Sequence, residues 1–128
     1  MVQQVTSGIK ISVDTEFEGT FYKDYKVTFA FGYKITIENQ SKDVVQLTSR
    51  YWHILDALNH EETVEGEGVI GQKPMLSPGQ SHTYTSGCLL NAPFGTMSGH
   101  YNMMNFSTGK LFKVFIPAFK LNAPFALN

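Results

Sequence analysis

The sequence predicts an all-β fold, an antiparallel β-sandwich of about seven strands. Apolar side chains occupy every odd position from Val27 to Ile37, which is the period of a strand with one buried face. Turn signals such as Ser77-Pro78-Gly79 and Ser107-Thr108-Gly109 separate the other apolar segments. No segment has the period of an amphipathic helix, so we expect a helix content below about 10%.

The strands follow from these signals in chain order. A short first strand contains Ile9, Ile11 and Val13, which alternate with polar residues. In the second strand the odd-numbered side chains should point into the core together: Phe29, Phe31, Tyr33, Ile35 and Ile37. Further strands are expected at 44–55, 63–69, 81–88, 97–106 and 110–119.

Two irregularities are expected within these strands. The buried parity changes between Leu47 and Trp52, and a β-bulge between them would keep both side chains on one face. Pro117 has no amide hydrogen, so its strand should be an edge strand at that point or contain a bulge. The segment Asp56–His60 is interpreted as either one helical turn or a hairpin loop.

Composition restricts the class of protein. A chain of 128 residues fits a single domain, residues 1–128, and its net charge of −1 gives no basic surface for nucleic acid. No apolar run is long enough to insert into a membrane, and the N-terminus does not resemble a signal peptide. With Cys88 as the single cysteine, the expected location is the cytoplasm.

The glycines Gly66, Gly68 and Gly71 match the G-x-G-x-x-G pattern of dinucleotide-binding loops. That pattern binds pyrophosphate only when a helix begins within it, and prolines at positions 74 and 78 prevent a helix here. These glycines and Lys73 form a candidate phosphate-binding set. The favoured interpretation is a tight, twisted strand pair in which the glycines permit a positive φ or a close approach of the backbones, with no nucleotide affinity tighter than millimolar.

Residues that could support catalysis or metal binding are not grouped in the sequence. The four histidines do not form a pair with ligand spacing, so we predict no metal site and no cofactor. His82 and Cys88 are about 20 Å apart along one strand and cannot act as a base and a nucleophile. Cys88 is interpreted as a small buried apolar residue, and we predict that the protein is not an enzyme.

Two phenylalanines lie outside the predicted strands. Phe94 and Phe125 each follow an Ala-Pro pair, so each either folds back onto the core or is exposed as an anchor for a partner. Met103 flanks a further candidate patch together with Met97 and Met104, since methionine adapts to irregular partner surfaces. Phe94, Phe125 and Met103 are the candidate partner surface. Docking is expected at the end of the sandwich that carries the Asn91–Gly95 loop, with or without the 123–125 tail, and the alternative is addition of a strand at a sheet edge.

An ordered series of motifs resembles the ApaG family over about residues 3–121: Ser49-Arg50-Tyr51-Trp52, Asp56, V-x-G-x-G-V-x-G ending at Gly71, P-x-L-x-P-G, Tyr84-Thr85-Ser86-Gly87-Cys88, Met97-x-Gly99-x-Tyr101-x-Met103 and Ile116-Pro117-x-Phe119-x-Leu121. The resemblance implies an immunoglobulin-like or fibronectin type III-like sandwich. It also implies a genetic link to cobalt resistance and magnesium efflux in bacteria, and an interaction module in eukaryotes. No reaction is established for the family.

The sequence therefore favours a non-catalytic binding module whose partner is another protein. The alternative is a phosphate- or nucleotide-binding protein that uses the Gly66–Gly71 segment. A third alternative, with less support, is a protein that binds cobalt or magnesium directly. Unpaired edge strands would also allow a homodimer.

Overall fold

The protein folds as two antiparallel β-sheets packed face to face, in a computed structural model that describes residues 1–127. The described residues form nine strands: β1 (Val2–Thr6), β2 (Ile9–Lys23), β3 (Lys26–Asn39), β4 (Val45–Asp56), β5 (Glu61–Glu67), β6 (Met75–Leu76), β7 (Ser81–Leu90), β8 (Phe94–Asn105) and β9 (Lys110–Asn122). A 3-10 helix, Pro124–Leu127, follows β9. No helix in the described part of the chain is long and apolar enough to cross a bilayer.

One sheet has the order β1-β2-β3-β7 and the other has the order β5-β4-β8-β9, with β6 paired to the start of β4. The predicted antiparallel sandwich is confirmed. The finer likeness to an immunoglobulin or fibronectin type III domain stays a prediction. The two strands missed in the sequence are β1, whose side chains are nearly all exposed, and β6, which has only two residues. Neither carries a buried face that would give a hydrophobic pattern.

The alternating strand forms one wall of the core, as predicted. Phe31, Tyr33, Ile35 and Ile37 are buried, and Phe29 packs against them at the margin. Ile9, Ile11 and Val13 lie beside them on β2. The facing wall comes from the other sheet and includes Leu47, Trp52, Tyr101 and Met103. Val27 begins the alternation but is 37% exposed, because the strand there extends beyond its neighbours.

The two predicted irregularities are present. The pairing of β4 with β8 shifts between Leu47 and Ser49, so that Leu47 and Trp52 are both buried. Pro117 lies on the edge strand β9, where the register also shifts: Met97 pairs with Phe119, whereas Gly99 pairs with Ile116. The Asp56–His60 segment is a hairpin loop, in which Asp56 Oδ1 accepts from the amides of Leu58 and His60.

A two-stranded ribbon, residues 19–28, projects from one end of the sandwich. Beyond Phe29, β3 has no partner except β2, because β7 ends where Leu90 pairs with Phe29. A two-residue turn closes the ribbon, with Asp24 and Tyr25 at φ values of 51° and 63°. No residue of the ribbon is buried.

The two long sides of the sandwich differ. On one side β1 and β9 lie against each other, and the amide of Phe115 donates a hydrogen bond to Thr6 Oγ1 at 3.3 Å. On the other side, a cleft of about 650 Å³ lies between the inner faces of β5 and β7. The sandwich is therefore closed at one side and open at the other.

Candidate functional site

The open side of the sandwich forms an inter-sheet cleft with an apolar floor. The floor contains Trp52, Ile54, Val64 and Met97, and one wall contains Tyr84, Ser86 and Cys88 of β7. Clefts of this size and composition are typical of small-molecule sites.

Arg50 lies at one end of this cleft, on the same face of β4 as Trp52. Its Nη1 donates to the carbonyl oxygens of Glu67 (3.0 Å) and Gly68 (2.9 Å). Gly66 makes room for the guanidinium, since a Cβ there would lie 2.8 Å from both terminal nitrogens. No carboxylate of residues 1–127 lies within 4.0 Å of Arg50. Within the described part of the chain, the half-buried Arg50 side chain therefore has only backbone carbonyls as hydrogen-bond partners.

Three tyrosines pack near Arg50 between the sheets. The hydroxyls of Tyr84 and Tyr101 are hydrogen-bonded to each other, and Tyr33 lies close by. Burial raises the pKa of Tyr33, Tyr84 and Tyr101, and the charge of Arg50 only partly opposes this effect. The three phenols are therefore neutral near pH 7.

Cys88 is half-buried in the wall of the cleft. Its Sγ lies 3.8 Å from Met97 Sδ. Burial raises the pKa of Cys88 to about 11, and the charge of Glu62 adds to the effect. Since the thiolate is the nucleophilic form, Cys88 is a weak nucleophile at neutral pH. Its predicted role as a small apolar residue fits this position, although the side chain is not fully buried.

The glycine segment contains no helix, as expected: β5 ends at Glu67, and a tight turn closed by the bridge between Val69 and Gln72 follows it. Gly68 has a φ of 63°, its amide donates to the Thr48 carbonyl at 2.9 Å, and a Cβ there would lie 2.3 Å from the Gln72 oxygen. Lys73 Nζ lies 3.3 Å from Glu67 Oε2. Of the candidate phosphate-binding residues, the structure brings Gly68 and Lys73 together, whereas Gly66 faces the Arg50 guanidinium. However, the Gly68 amide already has an acceptor and Lys73 is paired with a carboxylate. Phosphate binding at this segment stays a prediction.

The four histidines lie in separate environments. His53 bonds to Glu61, and His60 Nδ1 lies 3.0 Å from the Asn91 amide nitrogen and 3.6 Å from Asp56 Oδ2. His82 stacks with Tyr84, and His100 stacks with Tyr51. Burial lowers the pKa of His100, and the charge of Lys113 adds to this. Within residues 1–127, no three His, Cys, Asp or Glu side chains are grouped to hold a metal ion.

Of the three candidate partner residues, the structure exposes two. Phe94 is 45% exposed and is the first residue of β8 rather than a loop residue. Phe125 is 53% exposed although its ring packs on Phe17 and Phe29, with centroids 5.8 and 6.0 Å away. The prediction for Met103 was wrong: it pairs with Leu47 on the inner face of β8 and is fully buried. A residue without exposed surface cannot contact a partner.

The predicted docking end carries more aromatic surface than the sequence indicated. The amide of Ala123 donates to the Pro93 carbonyl at 2.8 Å, which joins the tail to the loop after β7. The ribbon projects from the same end, where Phe21, Tyr22 and Tyr25 are 54%, 79% and 109% exposed. The sequence signal for these residues was the run F-Y-K-D-Y around Asp24, in which aromatic residues flank charges without a consistent parity.

The model of the ApaG domain family matches residues 20–105, which is more than half of the chain. The chain belongs to the ApaG family. It is 45% identical to Protein ApaG of Mesorhizobium japonicum over 124 residues, which cover 97% of this chain and 95% of that protein. It is 44% identical to Protein ApaG of Brucella anthropi with the same coverage.

A solved structure agrees with the ApaG assignment. A crystal structure from Bordetella pertussis, described as an ApaA protein, superposes with a TM-score of 0.84 at 35% identity, covering 91% of this chain and 94% of that one. Membership in the ApaG family supports a small β-sandwich domain, in agreement with the strands described above.

Proposed function

We propose that this ApaG-family domain is a non-catalytic binding module that acts through protein–protein interaction. The supporting observation is the end aromatic cluster, a set of exposed side chains at one end of the sandwich: Phe21, Tyr22, Tyr25, Phe94 and Phe125. Aromatic residues are enriched at the energetic centres of protein interfaces. The side chains of the end aromatic cluster extend from strands and turns on a rigid sandwich, and binding residues are commonly presented on a rigid scaffold in this way.

The chemistry of the cleft supports a non-catalytic role. Its tyrosines and Cys88 have pKa values raised by burial, whereas general acid–base groups work best with pKa values near the pH of the reaction. The alternative, phosphate or nucleotide binding at Gly66–Gly71, is less well supported because the Gly68 amide and Lys73 are already engaged within the protein.

The physiological setting is also part of the proposal. Family resemblance suggests a role in cobalt resistance and magnesium efflux, and we propose that this role is exerted through the protein partner. The cytoplasm is the proposed location, on the basis of the single cysteine.

The proposal is tested by capture and affinity measurement with matched aromatic variants. Tyr25→Ala and Phe94→Ala change the end aromatic cluster, whereas Phe106→Ala changes a side chain that is 50% exposed at the opposite end. If the cluster docks the partner, each of the first two variants should weaken binding by about 1–3 kcal/mol, and the third should not. The protein captured by the wild type is identified by mass spectrometry, and its affinity is then measured by calorimetry.

Three results would contradict the proposal. The first is a partner whose affinity is unchanged by both cluster variants while both remain folded. The second is a partner lost only with Phe106→Ala, which would place the interface at the other end. The third is the absence of any specifically retained protein, a second copy of this chain included.

A further inference from the structure

We propose that the inter-sheet cleft binds a small organic anion, with its carboxylate or phosphate on Arg50 and its apolar body on the floor formed by Trp52, Ile54 and Val64. This site is separate from the end aromatic cluster and uses neither the Gly68 amide nor Lys73.

Arg50 has the chemistry of an anion receptor. A guanidinium stays charged in proteins and presents five N–H donors in a planar fork. Among residues 1–127 only its Nη1 donates, and both acceptors are neutral backbone carbonyls. These bonds fix the plane of the group, while the Nε and Nη2 donors have no acceptor among the described residues. A carboxylate or phosphate would supply the missing charge through paired hydrogen bonds.

The carboxylate near Arg50 does not compete for it. Glu67 provides its backbone oxygen to Arg50, while its side chain pairs with Lys73 at 3.3 Å. The Glu67 carboxylate is therefore paired with Lys73 and not with Arg50, so Arg50 is available to bind an external anion.

Charge also sets the orientation of the ligand. Arg50 pairs with Gly66 across β4 and β5, and Glu62 pairs with Ile54 four residues further along β4. Arg50 and Glu62 thus mark opposite ends of the cleft, about 13 Å apart along the strand. An anionic group is attracted at the first end and repelled at the second, so the apolar body should extend from Arg50 toward Cys88 and Glu62.

The floor between these ends fits an apolar body. Trp52, Ile54 and Met97 are largely buried, and their inner surfaces line the cleft together with Val64. The hydroxyl of Ser86 on the opposite wall adds one polar group. An apolar pocket with a few well-placed polar groups is the usual design of a small-molecule site.

The test uses probes that share one apolar body and differ only in the terminal group: 4-phenylbutyrate, 4-phenylbutyl phosphate, 4-phenylbutanol and 4-phenylbutylamine. Trp52 is the only tryptophan in the chain and lines the cleft, so its fluorescence reports occupancy. Amide and side-chain NMR shifts of Trp52 and Arg50 locate the ligand. We expect at least one of the two anions to bind about tenfold more tightly than the alcohol and the amine. Inorganic phosphate alone should bind more weakly than the phosphate ester.

Three variants distinguish the contribution of the Arg50 charge to binding from that of the apolar part of the cleft. Arg50→Gln should reduce anion affinity about tenfold and leave the weak alcohol affinity unchanged. Lys120→Gln removes the same charge from an exposed position that does not line a pocket with Arg50, and it should change neither. Cys88→Phe keeps Arg50 but fills the apolar part of the cleft, so all four probes should lose binding.

If Arg50→Gln unfolds, two measurements still test the proposed anion site. They are the comparison of head groups in the wild type and the binding of the probes to the Cys88→Phe variant. Equal affinity for acid, alcohol and amine would overturn the proposal, as would undiminished anion binding in folded Arg50→Gln or Cys88→Phe. The absence of a saturable Trp52 response to all four probes would overturn it too. The tighter of the two anions identifies the head group as carboxylate or phosphate.

Discussion

Gly66 and Gly68 meet different physical needs although they lie two residues apart. Gly66 leaves room for the guanidinium of Arg50, and its backbone pairs normally within the sheet. Gly68 has a positive φ of 63° and lies against the Gln72 carbonyl. Gly71 also has a positive φ, 70°, but a Cβ there would have no neighbour within 4 Å. The pair Gly68 and Gly71 therefore separates the effect of a steric clash from that of backbone conformation.

We predict that Gly68→Ala lowers the free energy of unfolding by more than about 2 kcal/mol, because it combines a left-handed backbone with a Cβ clash. Gly71→Ala carries only the conformational penalty, about 1 kcal/mol. Urea denaturation of both variants and the wild type measures the difference. Equal losses for the two variants would show that the close approach of the Gln72 oxygen does not matter.

Among the residues of the candidate site, some could be identified from the sequence and others could not. The glycine segment was correctly predicted to contain no helix, because two prolines prevent one from following it. Arg50 was not singled out, although it shares the even parity of the buried Trp52 and Ile54 and so places a cation on the inner face. Among residues 1–127, the absence of a carboxylate within 4.0 Å of Arg50 depends on how side chains are paired in the folded protein, above all on the pairing of Glu67 with Lys73, which a sequence pattern does not give.

At the scale of elements, strands with one buried face were predictable and exposed ones were not. β3 was found because its odd side chains face the core over five alternations. The ribbon was missed because its aromatic residues lie on both faces: Phe21 pairs with Thr28, whereas Tyr22 pairs with Val27. Where neither face is buried, no periodic pattern forms. Met103 was misjudged for the opposite reason, since residue type suggested exposure while strand parity placed it inside.

The ribbon is predicted to contribute to binding and little to stability. Deleting Phe21–Thr28 and joining Thr20 to Phe29 by Asn-Gly gives a two-residue hairpin between residues that already pair. None of the deleted residues is buried, and the ring contacts of Phe125 with Phe17 and Phe29 are kept. The free energy of unfolding should change by less than about 1 kcal/mol, as for changes away from the core.

Thermal unfolding and the partner-binding assay are applied to the same shortened protein. Full stability with loss of the partner is the expected result. A drop in stability comparable to a core substitution, about 2–5 kcal/mol, would show that the ribbon is part of the folding unit.

In the whole molecule, the two candidate surfaces, the inter-sheet cleft and the end aromatic cluster, lie at different places on the sandwich. The contact of β1 with β9 closes one side, and the cleft between β5 and β7 lies opposite. The end aromatic cluster lies at one end of the strands. The cleft could not be predicted from the sequence, because it arises from the separation of two strands in different sheets. Occupancy of the cleft and docking at the end can therefore be tested independently.

The histidines are dispersed over the molecule, which argues against direct binding of cobalt. His53 is bonded to Glu61 and His100 stacks on Tyr51, so neither lies in a set of ligands that a transition metal would need. We predict that cobalt leaves the melting temperature unchanged.

A ligand that binds only the folded state at 100 times its Kd would stabilise it by about 2.7 kcal/mol. Such stabilisation would raise the melting temperature by about 10 °C for a domain of 128 residues. Differential scanning calorimetry with cobalt, and with EDTA as the control, distinguishes the two cases. An upward shift abolished by His53→Ala or His100→Ala would contradict this prediction and establish direct binding of cobalt.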